Sequence, residues 1–218
     1  MAETKKEERE RKKREKALAE HARLDAMMEY ERRYSEFEYI CGIDEAGRGP
    51  LAGPVVAGAV ILPKDCYIEY LNDSKKVTEK RRNVLFDEIY DKALAVGVGI
   101  VSPEVIDEIN ILEATYAAMR DAIDRLQIKP QMILADAVHI PGIGIPQAGI
   151  IKGDAKSVSI AAASIIAKVT RDRMMCQYDT LYPEYGFAKH KGYGTRQHNE
   201  ALKQYGMCPI HRTTFVHI

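Results

Sequence analysis

Cysteine chemistry has little support in this chain. The four cysteines (Cys41, Cys66, Cys176 and Cys208) are far apart and form no Cys-x-x-Cys pair. A zinc ribbon and a thioredoxin-like motif are therefore unsupported, and reduced thiols in a cytoplasmic protein are expected. Long apolar runs are missing as well. The best stretches, residues 51–62 and 160–167, are too short to span a bilayer, and Pro54 interrupts the first. The N-terminus is charged from Lys5 onward and has no apolar core of signal-peptide type, so neither secretion nor membrane insertion is expected.

Charge of either sign is not in excess: 32 Lys and Arg stand against 32 Asp and Glu, a formal net charge of +0. Attraction to phosphate favours surplus basic residues, so this balance counts against a nucleic-acid binder. It does not exclude one, because an acidic site lowers the sum while basic clusters elsewhere keep a local footprint. No His-Glu-x-x-His spacing links His139, His190, His198, His211 or His217, which read as surface or structural residues. No internal repeat is visible, and the absence of a heptad suggests a monomer.

What remains is an ordinary globular composition, 46% hydrophobic and 29% charged, in a 218-residue chain long enough for one sizeable domain. Residues 1–38 form a charged extension, helical or disordered, and 39–218 the body. Residues 5–16 mix both signs with almost nothing apolar; an irregular stripe of Leu24, Met27, Met28 and Tyr34 then suits an amphipathic helix docked on the body.

In the body, strands are expected at 39–44, 55–62 and 93–101, with a short buried one at 132–135 ending at Asp136. Helices are expected at 78–90, with Thr78 as N-cap and Val84, Leu85 and Ile89 on one side, and at 110–127. The latter opens on a capping box of Asn110 and Glu113 and carries Leu112, Tyr116, Met119 and Ile123 on one face. A helix over 158–178, whose Ala161-Ala162-Ala163 run implies close packing, precedes a last helix near 195–204. Strands first, then strands alternating with helices, predict an α/β domain with a mixed sheet and a helical C-terminal region.

Acidic residues stand where such sheets build sites. Asp44 and Glu45 close the first strand, Asp136 closes the fourth, and Asp154 lies in a turn before the long helix. One strand-end Asp is ordinarily a turn or cap residue; several converging would repel, and cations among them would relieve the repulsion. Hard oxygen ligands select Mg²⁺ or Mn²⁺, and two such ions roughly 4 Å apart suit phosphodiester hydrolysis. Asp44 and Glu45 are adjacent, so both reach one site only if the chain turns at Glu45.

The turn Gly47-Arg48-Gly49 lacks the Lys-Ser/Thr of a P-loop. It reads either as a tight turn or as backbone approaching a sugar or phosphate, with Arg48 as phosphate partner. Basic residues cluster at Lys75, Lys76, Lys80, Arg81 and Arg82, and again at Lys189, Lys191, Arg196 and Arg212 around Tyr193. A charged loop with an interleaved aromatic suits nucleic-acid contact, whereas the first cluster reads equally as a solvated helix face.

Five ordered blocks make the chain resemble the type 2 ribonuclease H (ribonuclease HII) family. They are the stretch from Gly42 through Asp44-Glu45-Ala46-Gly47-Arg48-Gly49-Pro50 to Val55, then Asp73-Ser74-Lys75-Lys76, Lys152-Gly153-Asp154-Ala155-Lys156-Ser157 running into Ala161 to Asp172, His190 to Thr195, and Cys208 to Arg212. The resemblance implies a ribonuclease H-like fold, a mixed five-stranded sheet flanked by helices. It implies metal-site acids at Asp44, Glu45, Asp136 and Asp154, holding Mn²⁺ or Mg²⁺. Substrate contacts fall on Gly47, Arg48, Gly49, Ser74, Lys75, Lys76, Lys152, Lys191 and Tyr193, with Tyr193 and the turn reading the ribose 2′-hydroxyl. The implied partner is an RNA–DNA hybrid or DNA containing ribonucleotides, cut 5′ to the ribonucleotide to leave 3′-hydroxyl and 5′-phosphate ends. Many members carry Gly where this chain has Ala137. Type 3 relatives, which prefer long hybrids, have Gly-Lys-Gly in the turn and a larger N-terminal domain. A non-catalytic hybrid binder would have lost an acid, and none is lost.

Overall fold

The computed structural model describes residues 5–217; residues 1–4 of the extension and 218 lie outside it. Five strands form one mixed sheet in the order β3-β2-β1-β4-β5. β1 (Ile40–Ala46) pairs antiparallel with β2 (Val55–Ile61), and β2 pairs antiparallel with β3 (Ala95–Val101). On the other side β1 runs parallel to β4 (Met132–Asp136), and β4 runs parallel to β5 (Gln147–Ile150). β2 is buried along its whole length, which explains why it holds only Val, Ala, Ile and a glycine.

Both faces of the sheet are covered. α5 (Ile111–Asp124) lies on one face, its start capped by the Asn110 side chain, which accepts from the N–H groups of Leu112 and Glu113. α6 (Val158–Leu181) lies on the other, and Ala161, Ala162 and Ala163 are fully buried in it. Small residues on both partners let backbones meet: a Cβ at Gly42 of β1 would stand 2.0 Å from the Ser159 carbonyl carbon. α3 (Glu79–Lys92), capped by Thr78, packs outside α6.

Two expected core positions face solvent instead. Val84 is 51% exposed and Leu112 42%, because Leu85 and Ile89 alone supply the buried side of α3, and the Ala114, Ala118 and Ala122 row supplies that of α5. Two further elements escape the periodicity reading. β5 has four residues with only Ile150 buried, and α4 (Pro103–Ile109) is a short helix entered by Ser102 and Pro103. α7 (Phe187–His190) and α8 (Arg196–Tyr205), the latter capped by Thr195, complete the helical C-terminal region.

Ahead of the sheet, α1 (Lys5–Met27) is exposed through its charged half, and Leu24, Met27 and Met28 join the core beneath α3 and α6. α2 (Glu29–Arg33) follows. Tyr30, Tyr34 and Phe37 pack against Met132, Leu134, Ile150 and Ile160, under the strands that end at the acidic edge.

Candidate active site

Because β1 and β4 are parallel neighbours, their C-terminal ends open on the same edge. Asp44 lies near the end of β1, Asp136 ends β4, and Asp154 follows β5 in a 3-10 turn (Gly153–Ala155). One carboxylate oxygen from each of the three lies within 4.8 Å of the other two. The Asp136 Oδ1 accepts from the Gly153 N–H at 2.8 Å, which locks the strand end to the turn that carries Asp154.

Electrostatically the edge is strained. Burial pushes the Asp44 carboxyl well above its ordinary range, and the charges of Glu45, Asp136 and Asp154 push the same way. Asp154 is raised by burial and then by the charges of Asp73 and Asp136, with Lys75 opposing. Asp73, which sequence reasoning did not single out as a site residue, is thus a further acid at this edge; its place in the Asp-Ser-Lys-Lys block was the available signal.

Glu45 behaves differently. β1 continues through it to Ala46, opposite Ala57 and Val56, so the turn needed to swing Glu45 toward Asp44 does not occur there. Its carboxylate receives Arg48 at 3.4 Å instead of joining the close trio. It remains within electrostatic reach: burial raises it, Arg48 lowers it, and the Asp136 charge raises it.

Beside the acids, the glycine turn is held by two buried arginines. Arg212 donates to the carbonyls of Gly47 (2.6 Å), Arg48 (2.9 Å) and Gly53 (2.8 and 3.0 Å). Arg171 donates to Pro54, Ala52 and Lys191 at 2.9, 3.0 and 2.9 Å. Gly47 has φ +99°, and a Cβ there would meet the Arg171 Nε at 2.1 Å, so only glycine fits. Burial pushes Arg171 down to about 10 and Arg212 to about 9, the latter also repelled by Arg171; both stay cationic near neutrality. Arg212, expected in a basic surface cluster, is therefore an internal staple, because its guanidinium satisfies carbonyls that the irregular turn leaves unpaired.

The same staple brings Tyr193 to the turn. Leu51 N–H donates to the Gly192 carbonyl at 2.9 Å, and the Tyr193 ring, 46% exposed, lies beside Gly49. A histidine relay fixes its backbone. Cys208 N–H donates to His211 Nδ1 at 2.9 Å, so His211 Nε2–H donates to His198 Nε2 at 2.9 Å, and His198 Nδ1–H donates to the Tyr193 carbonyl at 3.0 Å. Burial lowers both histidines, His211 to about 4, so the relay is neutral near pH 7.

The remaining expected substrate residues divide. Arg48, Lys75, Lys76 and Lys152 are exposed around the acids, and the Lys75 charge acts on both Glu45 and Asp154. Ser74 is buried, its hydroxyl bonded to Ser164 at 2.8 Å, so its side chain tethers the loop to α6 and does not face a ligand. The Lys191 ammonium folds back on the Ala188 carbonyl at 2.5 Å, while its own carbonyl serves Arg171. Arg82 also turns inward, to the carbonyls of Ser74 and Val77.

The sequence model described as Ribonuclease HII matches residues 41–218, every acid and Tyr193 included. The chain belongs to the ribonuclease HII family. It is accordingly a ribonuclease H, an endoribonuclease of RNA–DNA hybrids. It is 61% identical to Ribonuclease HII of Lachnoclostridium phytofermentans over 202 residues, covering 93% of this chain and 80% of that one. With Ribonuclease HII of Acetivibrio thermocellus it shares 62% identity over 186 residues, 85% of this chain and 72% of the other. The crystal structure of ribonuclease H2 from Pyrococcus horikoshii superposes with a TM-score of 0.67 at 34% identity, covering 81% of this chain and 93% of that one. No described helix is long and apolar enough to cross a membrane.

Proposed function

We propose that Asp44, Asp136 and Asp154, with Glu45 in support, hold divalent Mg²⁺ or Mn²⁺, and that the protein cuts 5′ to ribonucleotides in duplex DNA as well as in hybrids. The single observation carrying this reading is the convergence of three carboxylate oxygens within 4.8 Å. The donor set suits the ions: all ligands are hard oxygens, and the mutual repulsion that raises Asp44 and Asp154 is what a cation relieves. When bound, the ions supply charge stabilisation at the phosphate and a more acidic water.

The chain's own groups do the rest. Arg48, Lys75, Lys76 and Lys152 face the backbone phosphates and set the register of the duplex. The Gly47 to Gly49 backbone, free of side-chain bulk at both glycines, and the Tyr193 ring beside it read the 2′-hydroxyl, the group by which RNA differs from DNA. Cleavage leaves 3′-hydroxyl and 5′-phosphate ends. Residues 39–218 form the catalytic domain and 1–38 an appendage to it, a division supported by the family match starting at residue 41. One chain holds the whole constellation, which is compatible with action as a monomer.

The test is a nicking assay on a DNA duplex carrying one ribonucleotide, with and without Mg²⁺ or Mn²⁺. Cutting should require metal, and Asp136→Asn should lose more than the roughly 100-fold that marks the upper range for residues behind a metal ligand. Undiminished nicking by Asp136→Asn, or by wild type in chelator, contradicts the reading.

A further inference from the structure

We propose that Glu31, on the short helix α2 of the N-terminal extension, is a positioning residue for the metal site. The inference rests on the metal-site reading above and deepens it.

Glu31 lies 126 residues from the segment it holds. Its Oε1 accepts from the Ser157 hydroxyl at 2.5 Å and from the Ser159 N–H at 3.0 Å. Ser157 is the N-cap of α6, its Oγ accepting from the Ile160 N–H at 3.2 Å while its own hydrogen goes to Glu31. The carboxylate therefore sits where the amide dipoles of a 24-residue helix favour negative charge. Its other oxygen, Oε2, is buried with no hydrogen-bond partner, and Glu31 lines a cavity of about 190 Å³ together with Met28, Arg32 and Ser159. Arg32 does not neutralise it, since that guanidinium is paired with Asp25. A buried carboxylate oxygen without a partner is costly, and what the residue secures is the pair of bonds that its other oxygen makes to the start of α6.

The segment that Glu31 holds is the one that carries the third acid. The Ser157 N–H donates to the Gly153 carbonyl at 2.8 Å, and the Lys156 N–H to the same oxygen at 2.9 Å. On its other side the Gly153 N–H is bonded to Asp136. Asp154 thus sits in a one-turn element bounded by Asp136 at one end and by the Glu31–Ser157 pair at the other. A second contact of the extension bears on the same place. Tyr30, Tyr34 and Phe37 pack on Met132 and Leu134, in the strand ending at Asp136, and on Ile160, one turn after Ser157. The extension consequently supports both Asp136 and Asp154 from beneath, and Glu31 is its polar contact with the start of α6. Groups that orient metal ligands change affinity when removed even though they touch no ion.

The experiment compares full-length wild type, Glu31→Ala, Glu31→Gln and Ser157→Ala in three measurements. Mn²⁺ affinity is read from the electron paramagnetic resonance of free Mn²⁺, the half-saturating Mg²⁺ from nicking, and folding from the melting temperature. Glu31→Ala should weaken Mn²⁺ binding and raise the Mg²⁺ midpoint by about tenfold, with the rate at saturating metal nearly restored. Glu31→Gln, which keeps an acceptor oxygen for Ser157 and Ser159, should recover most of the loss, and Ser157→Ala should reproduce part of it. A Glu31→Ala protein that melts lower yet binds Mn²⁺ as wild type does would overturn the proposal and leave Glu31 a structural tether. If Glu31→Ala does not fold, unchanged Mn²⁺ affinity in Ser157→Ala overturns it equally. Failure of wild type to bind Mn²⁺ sinks the metal-site reading itself, a result distinguishable from the other two.

Discussion

The acidic edge and the glycine turn lie side by side, and they are built on opposite terms. At the edge, Asp44 and Asp154 are buried among like charges, and each is pushed toward its protonated form. In the turn, an irregular backbone is satisfied almost atom by atom: Arg171 and Arg212 together donate to six residues' carbonyls. The first region stores repulsion that a cation can discharge, and the second spends buried charge on rigidity. On the proposed function, a nuclease that holds metals and distinguishes one hydroxyl group needs both. The edge carries repulsion, and the turn is the fixed frame on which, in the proposed function, a sugar is read.

The sharpest way to break this contrast is to remove a staple. Arg212→Ala leaves the Gly47, Arg48 and Gly53 carbonyls without their donor, and each orphaned buried acceptor costs about 1–3 kcal/mol. Chemical denaturation should show a loss of several kcal/mol, and a change below about 1 kcal/mol would mean that water replaces the guanidinium without penalty.

The histidine relay gives the next largest effect, and it depends on pH. In the folded state His211 titrates at about 4, below the ordinary 6.5, because burial and His198 disfavour its charge. The unfolded chain therefore binds the extra proton between these values. The stability contributed by the relay is present above pH 6.5 and is lost as pH falls toward 4, by up to about 1.4 kcal/mol per pH unit. His211→Asn should flatten the dependence of melting temperature on pH in that window; an unaltered slope would place the acid sensitivity elsewhere.

The smallest effect concerns the residue after Asp136. Ala137 holds φ +55°, a left-handed conformation that glycine adopts freely. Ala137→Gly should leave nicking intact and change stability by less than about 1 kcal/mol, because relief of backbone strain is offset by a more flexible unfolded chain. A large loss of activity on this substitution would show that the methyl group, and not only the backbone turn, shapes the edge.

How much of this was legible in the sequence follows from how local each signal is. The strand end at Asp136, the caps at Thr78 and Asn110, and the close-packing alanines of α6 are read from neighbours in the chain, and the structure has them, whereas β1 runs two residues past Asp44 to Ala46. β5 is not legible, since four residues at a sheet edge with one buried side chain carry no periodicity. Nor does any local pattern tell that Arg212 and Ser74 turn inward while Arg48 and Lys75 stay out. That choice is made by backbone carbonyls more than 150 residues away for Arg212 and by a helix hydroxyl 90 residues away for Ser74. Long-range polar satisfaction is the property a linear reading lacks. The Glu31 contact belongs to the same class, with charge on an exposed-looking helix and its partner 126 residues further along the chain.

The central claim, that three acids are held together at a cost which metal repays, is tested most directly by one comparison: thermal stability of Asp44→Asn against wild type, without and with Mn²⁺. Burial and its neighbours raise Asp44 in the fold, so its charge is a liability at neutral pH that disappears as the medium becomes acidic enough to protonate it in the unfolded chain too. In chelator at neutral pH, Asp44→Asn should be the more stable protein by about 0.5–2 kcal/mol. With Mn²⁺ the order should reverse, wild type gaining and the variant not. A variant that is less stable than wild type in chelator, or that gains equally from Mn²⁺, would contradict the account.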